Sequence, residues 1–213
     1  MIKSIIFDFD GVIAESTNIK TDAFVSLYSK HPREVQLIVK DYHLKNSGIS
    51  RYKKILYYQK EVLQEDYSED VVNDLAKKFS KIVLEKVIQS DYVKGAEEFI
   101  RENYSNYDLH IATGTPQEEI EIIMREKKLE NKFKSIYGTP LTKTEIIKKI
   151  LLENNYKKEN VIFVGDAIAD LKGALNNDLI FIGRVPKGET SIFPEKTIII
   201  NDLMALGDLI LTF

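Results

Sequence analysis

The sequence has no cysteine among its 213 residues. Disulfides, thiolate metal sites and cysteine nucleophiles are therefore excluded, and any metal must sit on oxygen or histidine. There is no excess of positive charge either: 30 Lys and Arg against 33 Asp and Glu give a formal net charge of −3. Nothing in that balance draws a polyanion, so nucleic acid is not an expected partner. No stretch approaches the length of a membrane span. Met1 to Asp8 carries one lysine and a short apolar run broken by acids, without the length or small-residue cleavage site of a signal peptide. The expectation is a cytoplasmic protein with no membrane partner, a monomer or weak homodimer. Internal repeats, low-complexity tracts and Pro/Ser-rich linkers are also missing. What is present, 44% hydrophobic and 30% charged residues, suffices to bury a substantial core and argues against disorder.

The apolar residues are arranged in short runs. Ile5, Ile6 and Phe7 are consecutive, as in a strand covered on both faces, and the run ends in Asp8-Phe9-Asp10-Gly11. Further runs at Leu109 to Ala112, Ser135 to Tyr137, Val161 to Val164, Leu179 to Ile182 and Thr197 to Ile200 alternate with helix-compatible sequence. That alternation predicts an α/β fold, a Rossmann-like doubly wound parallel sheet with helices on both faces. The second strand is expected to end at Thr113, a helix to start near Pro116, and Asp202 to cap a closing helix over Leu203 to Leu211. Between the first strand and the second, residues 17–90 show no strand-like run. Ala23, Leu27, Val35, Ile38, Val39, Ile55, Leu56, Val62 and the series from Val71 to Val83 fit the inward faces of about four helices, broken at Pro32 and Gly48. An insertion of that length is a second, all-helical domain, which leaves residues 1–16 and 91–213 as the α/β core.

The polar residues of interest fall just past the carboxyl ends of strands, where open α/β sheets place their ligands. Asp8 and Asp10 bracket one apolar residue; two acids there repel, and a hard divalent cation on oxygen ligands relieves the repulsion. Taken alone, such a pair is also how a turn or cap follows a strand. A second pair follows another apolar run, in Gly165-Asp166-Ala-Ile-Ala-Asp170, and one helical turn brings its two carboxylates within reach of one ion. An N-cap with a solvent-facing acid reads the same way. Thr113-Gly114-Thr115-Pro116 puts a hydroxyl and small residues at a strand–helix junction whose amides can hold phosphate oxygens, with Gly114 as a substrate-binding position; many ordinary helices begin alike. Lys143 begins a helix, where its charge opposes the dipole unless an anion lies beside it.

In this order, Asp-x-Asp, Thr, Lys and Asp-x-x-x-Asp, the chain resembles the haloacid dehalogenase-like hydrolases, particularly the phosphoglycolate phosphatase and β-phosphoglucomutase type with a helical cap. The motifs correspond to Phe7 through Val12, Thr113, Lys143, and Gly165 through Asp170; residues 17–90 correspond to the cap. Only Ala167 departs, where relatives often carry a polar residue. The resemblance implies that Asp8 is the nucleophile and Asp10 the acid and base, while Thr113 and Lys143 hold the phosphoryl oxygens. It also implies Mg2+ at Asp8, Asp10 through its carbonyl, Asp166 and Asp170. The loop Asn46 to Arg51 resembles the cap's specificity loop, which makes Arg51 a candidate for a substrate carboxylate or second phosphate.

The function so implied is Mg2+-dependent hydrolysis of a small phosphorylated metabolite, of phosphoglycolate or sugar phosphate type, through an aspartyl phosphate. The alternative is a phosphomutase resembling β-phosphoglucomutase, favoured by Gly48-Ile49-Ser50-Arg51 and disfavoured by Lys20, which stands where those mutases have histidine. A dehalogenase suits Asp10 and the acidic fourth motif less well. A receiver-like signalling module is poorly matched, because receivers lack the insertion and phosphorylate an acid on a later strand.

Overall fold

The computed structural model describes residues 1–213. Six parallel strands form one sheet in the order β3-β2-β1-β4-β5-β6. They are β1 (Ser4–Phe7), β2 (Asp108–Pro116), β3 (Ser135–Thr139), β4 (Val161–Gly165), β5 (Ile180–Arg184) and β6 (Ile198–Ile200). This is the doubly wound order expected from the alternation of apolar runs and helices. The central strands are buried on both faces, with Ile5, Ile6, Phe7, Ile162, Phe163 and Val164 fully enclosed, which is why they read as unbroken apolar runs. The chain reverses its direction of winding between β1 and β4, and the register pairs Phe7 with Val164 across that point. A crevice opens there beyond the strand ends.

Between β1 and β2 the chain first forms four helices, α1 (Thr17–Leu27), α2 (Arg33–Lys45), α3 (Arg51–Tyr57) and α4 (Glu69–Gln89), ahead of the helix that leads into β2. Pro32 is the N-cap of α2, and Gly48 turns the chain between α2 and α3 with φ +78°. A wider π-helical turn over Tyr58–Leu63 extends α3 and ends at Gln64 with φ +55°. These helices bury Phe24, Tyr28, Val39, Ile55, Tyr58, Phe79 and Val83. Two residues expected inside are not: Ile38 is 45% and Leu56 41% exposed, because the inward stripe follows Val39–His43 on α2 and Arg51–Lys54–Ile55 on α3.

The rest of the chain alternates as expected, with α5 (Ala96–Asn103), α6 (Gln117–Glu126), α7 (Lys143–Glu153) and α8 (Ile168–Leu175) between strands, and α9 (Leu206–Ile210) last. Two boundaries differ. β2 runs on to Pro116 through an irregular register after Ala112, and Pro116 caps α6. The closing helix starts at Leu206 rather than Leu203, because the Asp202 carboxylate accepts from Met204 N (3.0 Å) and caps a turn instead. No helix is long and apolar enough to cross a membrane.

Candidate active site

Asp8 leaves β1 at the crevice and is 2% exposed. Its Oδ1 accepts from Phe9 N at 2.7 Å and lies 2.7 Å from Lys143 Nζ. Lys143 also lies 2.6 Å from Asp170 Oδ1. The capping box of α7, in which Thr142 and Glu145 exchange hydrogen bonds, fixes the first turn from which Lys143 projects. The two carboxylates supply the anions that make a lysine at this helix start favourable. Asp170 receives Ala167 N on its other oxygen (3.0 Å), so both of its oxygens are engaged.

Asp166 enters from the end of β4. Gly11, with φ +72°, lets it in: a Cβ at Gly11 would lie 2.1 Å from Asp166 Oδ2. One oxygen from each of Asp8, Asp166 and Asp170 lies within 4.8 Å of the others. Burial first, then repulsion from Asp170, pushes the Asp8 carboxyl up to about 7 even though Lys143 opposes the shift. Asp166 is raised well above the ordinary range by burial and by Asp8. On Lys143, burial lowers the pKa, but Asp170 and Asp8 outweigh it and raise the ammonium above its usual value. A single lysine thus leaves three converging carboxylates, the buried Asp8 and Asp170 and the half-buried Asp166, undercompensated. A hard divalent cation on oxygen ligands fits that donor set and removes the excess charge.

Asp10 does not join this group through its side chain. Its carboxylate is paired with Lys20 of α1 and accepts from Ser16 Oγ at 2.6 Å and Thr115 Oγ1 at 3.2 Å, while Lys20 also donates to Thr115 at 2.7 Å. Burial acts to raise the Asp10 pKa, but Lys20, Ser16 and Thr115 together hold it below the usual carboxylate value. Two acids separated by one residue therefore sit in opposite fields.

A cavity of about 50 Å³ lies between the strand ends and the inserted helices, bounded by Asp8, Asp10, Lys20, His43, Lys54 and Gly114 among others. The loop at Gly48 closes it against the core, since a Cβ at Gly114 would lie 2.8 Å from Gly48 O. A side chain on Gly48 would in turn lie 3.2 Å from the Ala167 methyl, so the small residue that departs from the family pattern sits under that loop. Thr113 is placed differently from Gly114. It is buried, accepts from Thr115 N (3.2 Å), and lines a neighbouring cleft with Lys143 rather than the Asp8 cavity. Arg51 reaches the cavity but is committed: its guanidinium pairs with both oxygens of Glu119 on α6, donates to Ser80, and lies 4.7 Å from the Phe79 ring centre.

Sequence reasoning assigned no role in the site to Ser16, Thr115, His43, Lys54 and Glu119, and noted Lys20 only as a departure. Ser16 and Lys20 share a face of α1 at a spacing of four, which is a legible signal. His43, Lys54 and Glu119 belong to separate elements, and no spacing joins them.

No curated protein sequence is significantly similar to the chain. Its fold matches solved structures over nearly the whole length. A predicted phosphatase from Clostridium acetobutylicum is 20% identical with a TM-score of 0.78, covering 100% of both chains. CbbY from Rhodobacter sphaeroides, in complex with phosphate, is 17% identical with a TM-score of 0.76, covering 97% of both. The HAD hydrolase YfnB from Bacillus subtilis, bound to magnesium, is 18% identical with a TM-score of 0.74, covering 98% of both. At such identities the likeness shows the fold. The model of the haloacid dehalogenase-like hydrolases matches residues 5–183, and the chain belongs to that family.

Proposed function

We propose that this hydrolase is a Mg2+-dependent phosphatase that acts on a small phosphorylated metabolite through a phosphorylated Asp8. The observation that carries the reading is the undercompensated group at the winding reversal: Asp8, Asp166 and Asp170 converge, with Lys143 ion-paired to the first and last. Residues 17–90 are taken as a cap and residues 1–16 and 91–213 as the catalytic core. The names of the structural relatives, which include a phosphatase and a phosphate complex, agree with the chemistry.

Asp8, Asp166 and the Asp10 carbonyl would hold the metal. Asp170, with both oxygens occupied, serves chiefly to hold Lys143. Bound there, Mg2+ would neutralise phosphoryl charge and favour the ionised form of Asp8. The Asp8 oxygen attacks phosphorus, and the bond to the leaving alcohol oxygen breaks. The Asp10–Lys20 pair holds one transferable proton, which the departing oxygen takes up. In the second half, water gives a proton back to the pair and its oxygen attacks phosphorus, releasing phosphate and the Asp8 carboxylate. Lys143, beside Asp8, steadies the phosphoryl oxygens throughout, whereas Thr113, expected to share that role, lines the neighbouring cleft. The phosphomutase alternative is less well supported, because Arg51, the residue considered for a second phosphate, is held by Glu119 and the Asp10 carboxylate is paired with Lys20, which stands where those mutases have histidine.

Release of phosphate from p-nitrophenyl phosphate, with Mg2+ and with a chelator, tests the reading. Turnover is expected with Mg2+ only, and Asp8→Asn should abolish it. Turnover that survives Asp8→Asn, or an inactive wild type, sinks the proposal.

A further inference from the structure

The cations around the cavity are not equivalent. Lys20 is neutralised by Asp10 and Arg51 by Glu119, whereas Lys54 has no carboxylate partner. Lys54 comes from α3 and is 3% exposed; its one polar contact is His43 Nδ1 of α2, at 2.9 Å. His43 is 4% exposed, and its Nε2 has no hydrogen-bond partner. Both residues line the cavity that contains Asp8 and Asp10, yet the hydrolytic steps above use neither.

A protonated Lys54 has only donors, so His43 Nδ1 must accept and the ring hydrogen stays on Nε2. The His43 Nε2 hydrogen then has no acceptor, and Lys54, whose one acceptor is a neutral ring nitrogen, has no counter-ion. A buried charge without a counter-ion is costly, and a ligand that brings an anion relieves the cost. We propose that Lys54 and His43 form a leaving-group subsite for an oxyanion, so that the substrate is a compact phosphate monoester whose alcohol part carries a second anionic group. The subsite rests on the phosphatase reading and specifies its substrate class. Burial first, then repulsion from Lys20, pulls the Lys54 amine down to about 7, and burial with Lys54 pulls His43 down to about 3. The imidazole is thus neutral, as the donor argument requires, and the amine gains its proton most readily when an anion arrives. A cavity of about 50 Å³ has room for a few water-sized groups, which favours a short substrate. The oxyanion can belong to a carboxylate or to a second phosphate.

The test compares matched monoesters with the wild-type protein and Mg2+: ethyl phosphate, phosphoglycolate, its uncharged carboxamide, and ethanediol bisphosphate. At least about tenfold higher kcat/KM for an anion-bearing ester over the carboxamide is expected, the size of one charged hydrogen bond. Whether the carboxylate or the bisphosphate leads identifies the source of the anion. Lys54→Met and His43→Phe should each bring the ratio close to one. Calorimetry with phosphonoacetate against ethylphosphonate reads the same preference without turnover or any variant. Equal rates on all four esters overturn the subsite and leave the phosphatase standing. No turnover, but tighter binding of phosphonoacetate, overturns the phosphatase and keeps the subsite; neither turnover nor preference ends both.

Discussion

Asp8 and Asp10 differ in what faces them rather than in what they are. Asp8 is buried among other acids, and its carboxyl rises from 3.8 to about 7. Between those values the native state holds a proton that the unfolded chain has lost, so stability falls as pH rises through that window. Urea unfolding of metal-free protein should therefore show wild type losing stability relative to Asp8→Asn between pH 4 and 7, about the two values of that carboxyl. A difference that stays flat with pH would mean that Asp8 is not so disfavoured as an anion. Magnesium should restore most of the loss at pH 8 and little at pH 4.5. Asp10 shifts the other way because Lys20, Ser16 and Thr115 all favour its charged form. Lys20→Met leaves the transferable proton to Asp10 alone, so the alkaline limb of the kcat/KM profile should move downward and turnover should fall by about a hundredfold, within the range of general acid–base catalysis. An unmoved limb would separate Lys20 from the proton transfer.

At the scale of elements, α3 and α6 are joined by the Arg51–Glu119 pair, with side chains 4% and 7% exposed. Removing one partner leaves a buried charge alone, so Glu119→Gln should destabilise by about 3–5 kcal/mol, whereas replacing both with apolar residues costs far less. Chemical denaturation of Glu119→Gln, Arg51→Met and the double variant Arg51→Met/Glu119→Leu measures this directly. A double variant as unstable as the sum of the singles would show that the two residues act separately. The pair also fixes the start of α3 and thereby the position of Lys54 three residues on.

Over the whole molecule, the inserted helices close on the core through contacts that tolerate little added bulk. Gly114 and the Gly48 carbonyl approach too closely for a Cβ at Gly114. Gly114→Val should wedge the two layers apart, raising KM and the rate of proteolysis near residues 46–50 while the sheet remains folded. Small-angle scattering that shows no expansion, together with an unchanged KM, would argue that closure tolerates the wedge. Because the site takes Asp8, Asp166 and Lys143 from the core and Lys54 and His43 from the insertion, such a wedge should impair substrate binding more than metal binding.

How much of this was legible in the sequence follows from the range of each interaction. Unbroken apolar runs ending in Asp8 and Gly165 determined buried parallel strands, because only strands covered on both faces are apolar throughout. The order of the acids, Thr113 and Lys143 along the chain pointed to the family, and to strand ends as the place of the candidate site. The helical spacing of the insertion determined its class but misplaced Ile38 and Leu56, since periodicity gives a stripe and packing chooses its centre. Only the tertiary structure decided that Asp10 turns to Lys20, that Arg51 is held by Glu119, that Thr113 faces a neighbouring cleft, and that Lys54 meets His43. Those are meetings between distant stretches of chain, set by how layers stack, and local sequence carries no record of which buried charge finds a partner and which is left for a ligand.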